Sequence, residues 1–389
     1  MPRLRIADST ISAGDAENTV SQSEDLNANE KIMGYPPSHS TPIPRNQTNP
    51  AGPLTASPIA PALHGRYAMV ARGMSVLYMG LISLLASASG VHLLFFPELA
   101  ALAYDVFRRP LGAWARSPLL LVITPASTAV VGVLAAQTLP FGFVAVLLTV
   151  AVSIIIVHIL RSPVAPAISA GLLPVILNVE SWLYPPCIMV GAILLVGASS
   201  LWQRYAIPRL PRIEATARER QDEIVELVPR RRSWIPVHFV FVIAIMSLVH
   251  LTGLRLILFP PLLVIAYEMF GHPSVCPWAR KPIRMPVACA LAAAGGAFLV
   301  ISLGPGVLST TLGMIWGIFI LQVFDLHVPP ALAIALIPQI MDDPSYWYPV
   351  SVAIGTTALS LFFIIYRNRL VDFSRRQAQS NQTSTHSSA

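Results

Sequence analysis

Residues 326–350 read LHVPPALAIALIPQIMDDPSYWYPV, a stretch apolar enough for a bilayer that also carries five prolines, a histidine and two adjacent aspartates. Residues 160–186, LRSPVAPAISAGLLPVILNVESWLYPP, are built the same way. The two align with Pro166 on Pro330, Pro174 on Pro338, Tyr184 on Tyr348 and Pro185 on Pro349. One proline-bounded apolar segment alone reads as a short helix ending in a loop. Two of them, at matching places in two halves of a chain, read as broken helices around a transport site.

The similarity extends outward from these segments. SGVHLLFFP (89–97) matches TGLRLILFP (252–260), LAYDVF (102–107) matches IAYEMF (265–270), WARSP (114–118) matches WARKP (278–282), and SWLYP (181–185) matches SYWYP (345–349). All four pairs keep one order at an offset of 163 to 164 residues. Internal similarity of this kind predicts two homologous membrane repeats, at residues 65–205 and 235–369. The polar residues 1–64 and 370–389 are expected to be disordered tails. A polar cytoplasmic linker at 206–234 joins the repeats, and Arg and Glu at near-helical spacing within 214–228 predict a short surface helix there.

Of 389 residues, 54% are hydrophobic and 12% charged, against roughly a quarter charged in a globular chain. The uncharged runs have the roughly 17–25 residues that cross about 30 Å of hydrocarbon. The chain is therefore expected to be an all-α polytopic membrane protein, with about six helical segments per repeat. These include short, proline-bounded segments at 95–107 and 164–178. The net charge of +7 sits beyond apolar runs, which points to membrane topology and away from nucleic acid. If each half crosses six times, Arg66, Arg72, Arg108, Arg109, Arg116, Arg161, Arg280, Lys281 and Arg284 share one side. The opposite loops, 137–142, 178–181, 303–306 and 341–345, contain no Lys or Arg. By the positive-inside rule both termini are cytoplasmic, and the plasma (inner) membrane is the expected location. An even number of crossings makes the repeats parallel, whereas a re-entrant short segment would change the parity and invert them. Three cysteines without metal-like spacing give no disulfide framework and no metal site.

Arg255 stands out, a cation in apolar sequence on the side that otherwise lacks them, and His92 is its repeat partner. A cation at mid-bilayer costs about 2.5–3.5 kcal/mol, so such residues usually face an interior path; at a membrane edge the same residues snorkel to the headgroups. Helix N-termini at 163–166 and 329–331 would offer backbone N–H groups to an anion, with the small residues Ala167, Ser169, Ala170, Ala331 and Ala333 permitting close approach. The candidate substrate-binding set is therefore His92, Arg255, His327, Pro330, Ala331, Pro166 and Ala167. His158 is a candidate proton relay, since an imidazole titrates near neutrality. Asp105 and Glu268 occupy equivalent places, and their expected partners are Arg116 and Arg280 of the following WAR motifs. Asp342 and Asp343 read as a solvated loop.

The run His327-Val328-Pro329-Pro330-Ala331, after an apolar span, resembles the motif that names the HPP family of integral membrane proteins. LGAWARSP (111–118) and VCPWARKP (275–282) are loosely similar to that family's conserved loop. The resemblance covers residues 74–205 and 236–369 as two tandem copies. A valine separates His327 from Pro329, and the first copy has Pro163 in the histidine's place. Because some members are associated with nitrite transport, the resemblance implies a small-anion carrier.

The leading expectation is thus a membrane transporter or channel for a small, anionic solute, with its site at the repeat interface. The rival is a non-transporting accessory or scaffold protein. No paired carboxylates with a nearby His and no nucleophile motif are visible, so no catalytic residue, enzyme activity or cofactor is expected. The expected partners are the lipid bilayer and a small-molecule solute, with a homo-oligomer left open.

Overall fold

The computed structural model describes residues 63, 65–206, 208, 217–229 and 232–386. Among them the chain is all helical. Its first set comprises α1 (Gly65–Ser89), α2 (Glu98–Arg108), α3 (Pro118–Thr138), α4 (Phe143–Ile159), α5 (Ala167–Leu177) and α6 (Tyr184–Ala206). The linker carries α7 (Ala217–Glu226). The second set comprises α8 (Trp234–Thr252), α9 (Pro260–Gly271), α10 (Arg284–Leu303), α11 (Val307–Val323), α12 (Pro330–Leu336) and α13 (Trp347–His386). A 3₁₀ turn precedes α2 at His92–Leu94 and α9 at Arg255–Leu258. Six helices, α1, α3, α6, α8, α10 and the 347–369 part of α13, are long and apolar enough to cross a membrane. The chain is a polytopic α-helical membrane protein.

Local chemistry sets the breaks. Prolines start α3, α9 and α12 at positions where a missing N–H costs nothing. Gly253 (φ 71°) and Asn178 (φ 56°) end α8 and α5 in the left-handed conformation. Between α4 and α5 the turn needs a non-glycine residue at positive φ, Arg161 (48°). The turn between α11 and α12 uses Asp325 (49°), 164 positions later.

Hydrogen bonds across the bundle fix the direction of each helix. At one end the Leu63 N–H donates to Arg108 O (3.0 Å), Trp202 Nε1 to Phe107 O (2.7 Å) and Trp114 Nε1 to Pro163 O (2.8 Å). At the other, Gln137 Nε2 donates to Glu180 O (2.6 Å). The six helices of the first set therefore alternate in direction. The second set does the same, with Lys281 Nζ donating to Asp325 O at one end and the Gly306 N–H to Gln339 Oε1 at the other. Arg72 donates to Gln322 (3.3 Å) and Thr310 to Ser83 (3.2 Å), so the two sets run the same way. Among the described residues Lys and Arg, apart from Arg255, gather at a single, arginine-rich end.

The short helices α2, α5, α9 and α12 form the core. Almost every residue in them is buried, and α5, at 11 residues, spans only about 17 Å. Each is seated against the other set: α2 packs on α12, and α9 on α5. The outer contacts follow the same exchange, α1 on α11 and α8 on α4. The long helices turn Leu77, Val144, Ile155, Phe298, Phe319 and Leu361 outward, as a lipid-facing surface requires. Two close approaches hold the short helices in place. A Cβ on Gly132 of α3 would stand 2.0 Å from Gly171 O of α5, and one on Gly296 of α10 would stand 1.9 Å from Ala335 O of α12.

Three expectations are corrected. Residue 63 is no part of a free tail, since Leu63 is buried against the end of α2; the rest of the expected tail 1–64, Gly65 onward excepted, lies outside the described residues. At the other terminus, α13 runs to His386, past the boundary at 369, because no glycine or proline follows Gly355 to break it. The linker helix ends at Glu226, short of 228, and only one of its faces lies at the surface: Arg220 and Ile224 are exposed, while Glu219, Asp222, Glu223 and Glu226 are buried.

The glycine contacts give a direct test of this core. Gly132→Ala and Gly296→Ala are each expected to destabilise the protein by about 1–3 kcal/mol through overpacking against a carbonyl. Gly197→Ala, with nothing within 4 Å, is expected to be silent. Thermal melting in detergent checks this, and equal Tm values for all three would refute the packing.

Candidate functional site

Where α2 ends, the two sets and the linker helix converge on a buried charge cluster. Asp105 is fully buried, and Arg109, one turn later, is 2% exposed. The i,i+4 spacing lays the guanidinium along the carboxylate, with Nε at 2.7 Å and Nη2 at 2.5 Å from Asp105 Oδ1. Arg109 also pairs with Glu226 at the end of α7. From the second set, His327 brings Nε2 to 3.5 Å from Asp105 Oδ1, and its ring lies 6.1 Å from that of Tyr104. The Tyr104 hydroxyl accepts a hydrogen bond from Arg108 (2.7 Å). Glu268, the equivalent of Asp105, is also buried and within electrostatic reach of Asp105 and Arg109. One wholly buried guanidinium thus pairs with carboxylates of the first set and the linker, with His327 and Glu268 of the second set close by.

Removing the charges from water costs several kcal/mol per ion, and only mutual pairing repays it. Donor atoms of Asp105, Glu226 and His327 lie within 4.8 Å of one another, a spacing a metal ion tolerates. Here Arg109 already contacts both acids and supplies their counter-charge, which gives the group the chemistry of an ion-pair lock. A second pair, Arg116 with Glu223, fastens the middle of α7 to the loop after α2.

The expected pairing of Asp105 with Arg116 is therefore corrected, because Arg109 lies one helical turn away on the same face and Arg116 reaches the linker instead. Nor does Arg280 take Glu268; its Nη2 donates to Ser274 O (2.9 Å). The residue equivalent to Arg109 is His272, whose imidazole burial pushes down to about 4. It is neutral near pH 7 and gives Glu268 no counter-charge.

The proposed anion set is not assembled as one site. His327, Pro330, Ala331, Pro166 and Ala167 lie toward the arginine-rich end, where all but the half-buried His327 are fully buried. His92 and Arg255 are exposed at the opposite end, where Arg255 lies 4.2 Å over the Phe141 ring of the other set. The 25 residues of α1 carry the chain about 37 Å before His92 is reached. The helix N-termini are not free either. The Ala167 N–H bonds Val164 O, Ile168 bonds Ala165 O, Ala331 bonds Val328 O and Leu332 bonds Pro329 O, while the prolines have no N–H to offer.

His158 is half-buried at the end of α4, with Nδ1 2.9 Å from Ile154 O. Its ring stacks on Trp234 of α8 at 5.9 Å and meets Tyr267 of α9 edge-on at 6.4 Å. It thus sits between the two sets. Asp342 and Asp343 are exposed, as a solvated loop would be. Sequence reasoning missed Arg109 and Glu226 as site residues. The Asp105-x-x-x-Arg109 spacing was available to flag the first; nothing local marks the second.

Arg109→Ala leaves Asp105 and Glu226 buried without a counter-charge and is expected to cost about 3–5 kcal/mol. Adding Asp105→Asn should restore part of that loss. Melting of the single and double variants tests it, and a single variant as stable as the wild type would dissolve the cluster. The chain matches no protein-family model, no curated protein and no solved structure.

Proposed function

We propose that this protein is a transporter for a small solute, moved at the interface between the two six-helix sets, which we read as copies of one ancestral unit. The observation that carries the reading is the pairwise exchange of the short helices. Interrupted helices buried at the interface of two parallel repeats are the arrangement from which carriers build a midplane site. Buried ionisable groups inside a membrane bundle are expensive, and they concentrate where solutes or protons pass. Closing one end with ion pairs that need only a relative shift of the sets to open suits alternating access.

The arginine-rich end is cytoplasmic on this reading, and α7 covers that mouth. A small anion such as nitrite is the first substrate class to test, because the HPP resemblance implies it. Uptake into liposomes holding the full chain, with nitrite, nitrate, formate and an uncharged control, is expected to show flux of one solute well above the others. Equal, small leak for every solute would refute transport and favour the scaffold reading, in which the chain's tails and linker bind partners.

A further inference from the structure

Glu98 opens α2 immediately after Pro97, in the middle of the bundle. The residue is 2% exposed, and neither carboxyl oxygen has a hydrogen-bond partner among the described residues. The Glu98 backbone N–H and the Ser169 hydroxyl, in the first turn of α5, both reach toward the carboxyl, and neither completes a hydrogen bond of normal geometry to it. Tyr184 of α6 and Tyr348 of α13, equivalent residues of the two sets, flank the group. Their hydroxyls are committed elsewhere, to Ala170 O at 3.2 Å and Ile334 O at 2.7 Å.

The elements packed most extensively on α2 are α1, α6 and α12, and α5, which brings Ser169 to the carboxyl, has no titratable residue. From α1 comes Tyr78, whose hydroxyl donates to Gly191 O; α6 adds Tyr184 and Cys187, and α12 has no titratable residue. Cys289 of α10 lies on the far side of Tyr348. None of these is a Lys, Arg or His. The charged residues of α2 itself, Asp105, Arg108 and Arg109, lie about two to three turns away, with Asp105 and Arg109 already paired to each other.

An ionised carboxylate costs several kcal/mol in such a place without a partner, so this one is held neutral by a proton. A sodium ion would need a shell of several oxygens, and beside the carboxyl only Ser169 Oγ is uncommitted.

We propose that Glu98 is a proton-binding site on the transport route, loaded from one side of the membrane and emptied to the other. An O–H bond forms on the carboxylate from water at the open side and breaks when the opposite side opens. A proton carried with a monovalent anion makes the crossing electroneutral. The coupling rests on the transporter reading; the proton site stands on the geometry alone.

Infrared difference spectra of the full chain in liposomes, recorded through a pH titration, test the site. A protonated-carboxyl band near neutral pH that vanishes in Glu98→Gln, with the fold intact by melting, is the expected result. Its absence from the wild type, or its persistence in Glu98→Gln, would overturn the site. Flux then tests the coupling. With a gradient of one pH unit, one-to-one coupling supports about tenfold accumulation, and Glu98→Gln should abolish accumulation while keeping solute counterflow. Undiminished accumulation in that variant, or a requirement for sodium, would overturn the coupling. A panel of nitrite, nitrate and formate that never moves, with the band present, would sink the transport reading while supporting the proton site.

Discussion

A helix of seven to twelve residues cannot cross the hydrocarbon of a membrane, and its free ends cannot face lipid, because unsatisfied backbone groups cost several kcal/mol there. That constraint governs this protein. Four such helices, α2, α5, α9 and α12, must be wrapped in protein on every side, and neither set of six has enough long helices to wrap its own. Each set therefore lends surface to the other, which is why α2 lies on α12 and α9 on α5. The glycines at 132 and 296, pressed against backbone carbonyls of α5 and α12, let the long helices close over the short ones.

The same constraint places the charges. Chain that stops short of the membrane face brings helix ends, turns and polar side chains into the interior, where they must be satisfied locally. Arg109 and Asp105 sit on the last turn of α2, and the linker supplies Glu226 from outside the six-helix set to complete the balance. The linker helix is thereby drawn from solvent into the fold, against what its polar composition alone implies.

How much of this was legible follows from the kind of signal each part leaves. Repeated prolines and the WAR, Tyr-Asp/Glu and Tyr-Pro matches are local, so the twelve-segment plan and the common direction of the sets could be read from residues such as Pro166 and Pro330. The Tyr184 and Tyr348 hydroxyls even make equivalent bonds, each to a carbonyl fourteen residues upstream. Partner choice among charges is a tertiary property. Arg116 looked like the mate of Asp105 because the WAR motif repeats, yet its partner comes from a linker more than a hundred residues away. Arg255 drew attention as a cation within an apolar run, but a 3₁₀ turn after a full-length helix sets it at the rim, over Phe141.

Where the two sets differ is as informative as where they agree. In the sequence alignment of the two sets Arg109 falls on His272, Glu98 on Pro261, and Trp114, which donates to Pro163 O, on Trp278, whose Nε1 has no partner among the described residues. Identical halves would place two guanidiniums near the axis, or two unpartnered carboxyls, and like charges buried together cannot both remain ionised. Keeping one of each avoids that conflict: a single cation pairs with acids of the first set and the linker, and a single carboxyl lies near Tyr184 and Tyr348. The matching helices of the two sets supply the frame. The broken symmetry supplies the chemistry, at positions where only one residue of a pair can be tolerated.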